Sequence, residues 1–494
     1  MRSLLKSVVI AVLAMLTVPI AAFVLATHNK TDLDDRFMKA ASRNNGLVAA
    51  QLRSQGVSYE TFCAADVQHQ YGQVCGPLNE VHYFEWAALA ACALGILALG
   101  LAVFVPVATG HSRRWLALAF SPTVRVVTFA VGISFCLQAA LATYGLYLLE
   151  SQAVGRVHIQ IIGAVGIGGL IAGVLVLKST FSIFRPHPML IVGERLNTEK
   201  EAAFFGRLRE LAAKTGAAVP SNVVVGLEPN FFVTSAPVQL VGEPQPLPGN
   251  TLYLSAPLCR LFTAAELDAV VGHEFGHFSG EDTLYSMRFA PAYRTLHDAL
   301  LAVHRQASRG GLISAMAIPA RSMLDFCLSQ FARPERRISR EREHAADEVG
   351  ASIAGPMPLA TALLKVGLYV PMWRPTVGTA IKVLDEGKAF RNLSETYAQI
   401  SIEHGGKDAA AQIKAVAGQA MAHPTDTHPS TRERIAALKL DLDSIPVDQV
   451  ALAAAGSSAL SLGALTEIEE GLSQTYQNVL IVSGQATPPK PAAA

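Results

Sequence analysis

The sequence predicts a mainly α-helical membrane protein: four transmembrane helices at the N-terminus, then a mostly helical folded domain with a small β-sheet. Three observations carry this prediction. The chain has 494 residues, 51% hydrophobic and only 16% charged, against about 25% charged in ordinary soluble chains, and its mean hydropathy is +0.33. The deficit of charge is local, because residues 1–182 hold 20 of the 79 charged residues and the remainder hold 59. That first region contains four uncharged apolar runs, Ser7–Thr27, Trp86–Val107, Val126–Leu149 and Ile159–Leu177, each matching the about 20 helical residues that cross a hydrocarbon core. Disorder, collagen-like repeats and a disulfide-stapled mini-protein are excluded by this composition. A net charge of +1 lacks the basic excess of a nucleic-acid binder, so no nucleic-acid partner is expected.

The expected organisation is a membrane region over 1–182 with an external segment 28–85, a folded domain over 183–483 and a disordered tail over 484–494. Arg2 and Lys6 precede the first run, Arg113, Arg114 and Arg125 lie between the second and third, and Lys178 and Arg185 follow the fourth. Counting spans puts all of them on one side, which the excess of basic residues marks as cytoplasmic. The opposite loop, Glu150–Arg156, holds one basic residue. The first run exceeds the 7–15 residues of a signal-peptide core, so it reads as an uncleaved anchor.

Cys63 and Cys75 both fall in the external segment, where a disulfide is chemically permitted, and a bridge between them is expected. The six cysteines form no CxxC pair, so a thiolate zinc site is not suggested. Gly163, Gly166, Gly168, Gly169 and Gly173 crowd the fourth run. Small residues let helix backbones approach closely, which favours packing within the bundle, with dimerisation as the alternative.

After Phe184-Arg185-Pro186 the pattern becomes mixed. Glu199–Thr215 has helical periodicity, while Asn222–Gly226, Asn230–Ser235 and Thr251–Ser255 read as strands. Ala236–Asn250, rich in Pro and Gly, reads as a loop. Thr263-Ala264-Ala265-Glu266 forms a capping box opening a helix that runs towards Phe278. A further helix is expected over Leu465–Leu480. Between these, Leu284–Arg333 carries charges too closely spaced for a span and reads as an amphipathic helical hairpin, suited to a membrane surface.

The capped helix carries His273-Glu274-Phe275-Gly276-His277. Residues i and i+4 lie on one helix face, so both imidazoles reach a single metal ion. Glu274, about 100° round the helix, approaches a metal-bound water without displacing a ligand, and a carboxylate there accepts the water's proton during attack on a carbonyl. Gly276 inside the helix costs about 1 kcal/mol relative to Ala, which points to a close approach by another element. A catalytic zinc needs a third protein ligand and one open position. The segment Ser339–Asp347 offers Glu343, followed at helical spacing by Asp347, which is placed to accept the outward N–H of a zinc-bound imidazole. Glu341 and His344 are rivals that spacing alone leaves open.

The ordered set of HExxH, a later ExxAD (Glu343–Asp347) and a still later HPxxxxR (His428-Pro429 to Arg434) resembles the membrane zinc metalloendopeptidases of the HtpX, CAAX prenyl protease and Oma type, over roughly residues 200–440. The resemblance implies a zincin-like domain in which one zinc is held by His273, His277 and Glu343, with Glu274 as general base. It sets His344 aside. It also implies that His428 helps hold substrate or the oxyanion, that Arg434 orders that region, and that the strand at Asn230-Phe231-Phe232 presents an edge to an extended peptide. The four spans all precede the motif, unlike the prenyl-protease layout, so no CAAX processing is carried over. Protein or peptide substrates, a lipid bilayer, protein quality control and a bacterial inner membrane with a cytoplasmic catalytic domain are what the HtpX likeness implies. Two alternatives remain at this stage. A scaffold with a purely structural zinc site has no use for Glu274. A metal transporter would need His or charged residues within its spans, and the four runs have none.

Overall fold

The computed structural model of the protein describes residues 2–44, 46–65, 71–151, 156–182, 188–278, 312–405, 408–418, 429–452, 454 and 458–488. The chain is mainly helical with a small sheet, and it divides into two units.

The membrane unit is built on four long helices: α1 (Arg2–Asn44), α4 (Gly72–Thr109), α5 (Arg113–Leu149) and α6 (Ile159–Ser182). All four are long and apolar enough to cross a bilayer. Each runs past the apolar segment that predicted it, because helical backbone hydrogen bonding continues into the flanking polar residues. α1 packs along α4 through small residues: Ala22, Ala26, Ala88 and Ala91 share one buried cluster. α5 and α6 close on each other through the glycine stripe, where a Cβ on Gly169 would lie 2.7 Å from the Ala139 Cβ and one on Gly173 would lie 2.5 Å from the Cys136 sulfur. Packing inside the bundle thus accounts for Gly169 and Gly173.

Outside the apolar segments, α1 continues beside α2 (Gly46–Ser54) and α3 (Tyr59–Ala64). Cys63 and Cys75 form a disulfide, the Tyr59 N–H donates to Asp34 at 2.6 Å, and Phe37 packs on the rings of Tyr59 and Phe62.

The second unit holds the mixed sheet. β2 (Gly193–Arg195), β3 (Asn222–Gly226), β6 (Thr251–Ser255) and β4 (Phe232–Thr234) lie in the order β2-β3-β6-β4. β3 and β6 are parallel, with Asn222 opposite Thr251 and Gly226 opposite Ser255. β4 pairs antiparallel to β6 and forms an edge. Every residue of β3 and β6 is buried, and successive side chains alternate between two apolar layers. Val223, Val225, Leu252 and Leu254 face the helical core, while Val224 and Tyr253 join Ile191, Val238 and Leu240 on the other side. The second layer includes a parallel pair, β1 (Met189–Ile191) with β5 (Val238–Leu240). The segment Ala236–Asn250 is therefore more than the expected loop. β5 interrupts it because three residues find a partner far away in sequence.

α7 (Ala202–Thr215) and α9 (Ala264–Gly276) cover the helical side of the sheet, after the short α8 (Ala256–Cys259). The capping box at the start of α9 is formed: the Glu266 N–H donates to the Thr263 hydroxyl at 3.2 Å, and the Thr263 N–H donates to the Glu266 carboxylate at 2.7 Å. Lys365, on α11 (Pro356–Tyr369), reaches this cap with its ammonium 2.8 Å from Glu266 and 2.9 Å from the Leu261 carbonyl. Both side chains are buried. Lys365→Met leaves Glu266 buried without its cation, and it should destabilise the catalytic unit by about 3–5 kcal/mol, read as a lowered unfolding midpoint in detergent.

α10 (Leu312–Ala354) is one continuous helix, which runs past Arg333, where the expected hairpin ends. The first part of that hairpin, 284–311, lies outside the described residues. Leu312–Ala332 belongs to the membrane unit, where Phe331 packs edge-on against Phe120 of α5 at 4.9 Å. Gly355, with φ +99°, turns the chain sharply from α10 into α11. α12 (Trp373–Asp385), α13 (Leu393–Gly405), α14 (Ala409–Gly418), α15 (Thr431–Ala437) and α16 (Val447–Val450) follow. The final helix, α17 (Leu465–Val482), docks by a buried carboxylate: Glu469 accepts from Arg260 at 2.8 Å and from Asn392 at 2.9 Å. Residues 484–488 are not the start of a free tail, since the Gln485 N–H donates to the Leu480 carbonyl and Thr487 bonds Asp385.

Candidate metal centre

α9 and the second half of α10 build the site. They cross where side chains are missing. A Cβ on Gly276 would lie 2.9 Å from the Ala346 Cα, and one on Gly350 would lie 2.6 Å from the Ala269 carbonyl oxygen. Neither distance is tolerable against backbone, so these glycines set the spacing between the two helices. Gly276→Ala should push α10 outward and weaken metal binding, with about 1–3 kcal/mol of overpacking cost, read by metal titration of the folded variant.

At this crossing the structure brings His273, His277 and Glu343 together. The two Nε2 atoms are 3.2 Å apart, His277 Nε2 is 3.4 Å from Glu343 Oε1, and His273 Nε2 is 3.7 Å from Glu343 Oε2. Ligands held tetrahedrally at about 2.0–2.1 Å stand about 3.3 Å from one another, so this donor set fits a single small cation. The three residues are the metal-capable group found among the described residues. His277 is the C-cap of α9 rather than part of its last turn, and its ring still meets that of His273 edge-on at 4.7 Å.

The protonation pattern suits this arrangement. His273 Nδ1 lies 3.0 Å from Asp347, which accepts its N–H and turns the bare Nε2 towards His277 and Glu343. Burial acts to lower the basicity of His273, but the hydrogen bond and charge of Asp347 outweigh it and leave the ring raised. Burial pushes His277 down to about 4, so it is unprotonated at neutral pH and a metal displaces no proton there. Asp347, fully buried, is held at about 2: burial opposes its ionisation, while the charge and hydrogen bonds of Arg434 and the His273 N–H win. Arg434 comes from α15 and grips Asp347 through two contacts of 2.8 and 2.5 Å. Its Nη1 is also 3.4 Å from Glu343.

Glu274 lies on the flank of the group and is half-buried. Burial, with the charge of Glu343 adding to it, raises its carboxyl to about 7, while His273 and a hydrogen bond from the Val233 N–H oppose the rise. Val233 is in the edge strand β4. Sequence reasoning missed this donor, because a backbone N–H carries no residue signature. It also missed Gly350, for which a glycine inside a helix was the available signal. Of the rivals for the third ligand, neither His344 nor Glu341 belongs to the metal-capable group. His428 lies outside the described residues.

A helix-borne pair of histidines facing an acidic side chain from a second helix, with a carboxylate beside them, is the donor set a metallopeptidase would use, here in a chain with four bilayer-length helices. Residues 244–441 match the model of peptidase family M48. The chain is 27% identical to a protease HtpX homolog of Pyrobaculum calidifontis over 281 residues, covering 56% of this chain and 76% of that protein. It is 29% identical to the protease HtpX homolog of Thermococcus kodakarensis over 222 residues (41% and 72%) and 31% identical to that of Pyrococcus abyssi over 202 residues (38% and 65%). No solved structure matches. The family match, these relatives and the four apolar helices support a membrane protease of the HtpX type.

Proposed function

We propose that the protein is an integral-membrane, zinc-dependent endopeptidase that hydrolyses peptide bonds of membrane or membrane-proximal proteins in protein quality control. The observation that carries this reading is the convergence of three ligand residues, with the two Nε2 atoms and the Glu343 carboxylate oxygens 3.2–3.7 Å apart, beside the carboxylate of Glu274. One zinc ion held by His273, His277 and Glu343 would polarise the scissile carbonyl and acidify water. Glu274 accepts the proton of the attacking water at its carboxylate and returns it to the departing amine nitrogen. Asp347 fixes the tautomer and aim of His273, and Arg434 balances the buried negative charge of Asp347 and Glu343. β4 runs beside Glu274 as a sheet edge, and an extended peptide added there would place its backbone next to the base. His428 is assigned to substrate or oxyanion contact by the family likeness alone.

The placement of charge supports a catalytic region, 183–483, on the cytoplasmic side of a bacterial inner membrane. The Cys63–Cys75 disulfide agrees with it, since such bonds persist on the oxidising side, where the segment 28–85 would lie.

The test is metal removal. The full chain purified in detergent should hold one zinc and cleave an unfolded test protein. A chelator should abolish cleavage, and stoichiometric zinc should restore it. Cleavage that continues in the chelated, metal-free protein would overturn the reading.

A further inference from the structure

The small-residue stripe that seats α6 on α5 stops short of being fully used. A Cβ on Gly166 would lie 2.6 Å from the Thr143 hydroxyl oxygen, so the helices touch there. Gly163 continues the stripe one turn towards the start of α6, yet a Cβ on it would meet nothing within 4 Å. The helices part at this level and leave a groove of about 770 Å³, lined by Ala140, Tyr144, Tyr147, Ile159 and Ile162 with Gly163 at its floor. It opens at the end of the bundle that carries the disulfide-linked segment, because α5 ends and α6 begins there.

The walls specify the occupant. The Thr143 hydroxyl already donates to the Ala139 carbonyl at 2.6 Å, and the Tyr144 hydroxyl donates to Glu80 at 3.2 Å. Both hydroxyl protons are thus committed, and apart from the Tyr147 hydroxyl the rest of the lining is apolar, which suits a hydrocarbon chain. The volume suits a small ligand, in the range of about 300–1,000 Å³, and it is too small for a helix about 10–12 Å across that spans a bilayer. At the rim, Glu150 is taken up by His158, through the backbone N–H at 2.6 Å and the ring at 3.3 Å. Arg156, next in sequence to the lining residue Val157, is exposed with no ion pair among the described residues, which complements an anionic group.

We propose that this groove holds one acyl chain of a phospholipid whose phosphate rests at Arg156. Moving a chain from bilayer to groove brings no hydrophobic gain, as both surroundings are apolar. Dispersion contacts with the walls and the charge-assisted contact at Arg156 hold it there.

The experiment uses the full chain in vesicles of phosphatidylethanolamine and phosphatidylglycerol containing a trace of phospholipid with a diazirine on its acyl chain. After illumination, labelled peptides should concentrate on residues 137–149 and 157–170, above the equally exposed α4 face of Leu89, Ile96 and Phe104. Gly163→Leu fills the groove without meeting backbone and replaces glycine by a better helix former, so the variant should fold. The concentrated labelling should be lost in it and in Ala140→Phe, and weakened in Arg156→Gln, with proteolysis of the unfolded test protein unchanged. Labelling spread evenly over all outward faces, labelling that survives Gly163→Leu, or crosslinks to a second protein in place of lipid would each overturn the proposal.

Discussion

Glu274→Gln is expected to retain one zinc per chain and to lose proteolysis, with kcat/KM falling by about 10²–10⁴, the usual contribution of a positioned acid–base group. The separation of the two effects follows from the geometry. Glu274 is outside the ligand set of His273, His277 and Glu343, and Gln keeps its size and can still accept the hydrogen bond from Val233. What it cannot do is take a proton. The raised carboxyl, about 7 through burial and the nearby Glu343, places the native side chain close to the affinity for protons that efficient transfer at neutral pH needs. Zinc content by elemental analysis and cleavage of an unfolded protein, measured on the same sample, check both halves. Loss of zinc in Glu274→Gln would mean that the carboxylate is a ligand. Unchanged cleavage would mean that the base is elsewhere. Zinc binding with no cleavage by either form would favour a structural zinc site in a membrane scaffold.

The parts of this molecule that were legible in the sequence are those whose causes are local. A span declares itself by length and lack of charge, so α1, α4, α5 and α6 follow directly. The start of α9 is written in Thr263 and Glu266, whose side chains and backbones satisfy each other across three residues. Gly276 was readable because a glycine inside a helix is costly unless something approaches, and Ala346 does. β1 and β5 were not readable: each has three residues, and each is a strand only because the other, nearly fifty residues away, supplies its hydrogen bonds. The continuity of α10 was hidden for a related reason. Its charges break any span, but a helix whose two parts belong to different units needs no single amphipathic pattern along its length. The Val233 N–H beside Glu274 depends on the register of β4 against β6, which only the assembled sheet defines.

Arg434 is the residue whose removal should cost most in stability. Two carboxylates, Asp347 and Glu343, are buried beside it, and its guanidinium contacts both. Arg434→Met leaves those charges in a low-dielectric interior with too little compensation, a loss of about 3–5 kcal/mol. The sign of the pH dependence follows from Asp347. Its folded pKa of about 2 lies below the ordinary value of 3.8, so its ionised form contributes stability above that ordinary value, and the contribution is lost as pH falls towards 2. Without Arg434 only the His273 N–H still favours the ionised carboxyl, so the stability that Asp347 contributes above pH 4 should shrink in the variant. Bound zinc supplies positive charge to the same cluster, so the variant should be less impaired when loaded than when stripped. Arg434→Met combined with Asp347→Asn removes the uncompensated charge and should recover part of the stability. It should not recover zinc affinity, because His273 then lacks the acceptor that aims it, a loss of about 10–100-fold. Unfolding midpoints with and without zinc, together with zinc titrations of the three proteins, separate the two roles. Equal zinc affinity in wild type and the double variant would show that Asp347 does not orient His273, and an unshifted midpoint in Arg434→Met would show that the arginine does not balance the cluster.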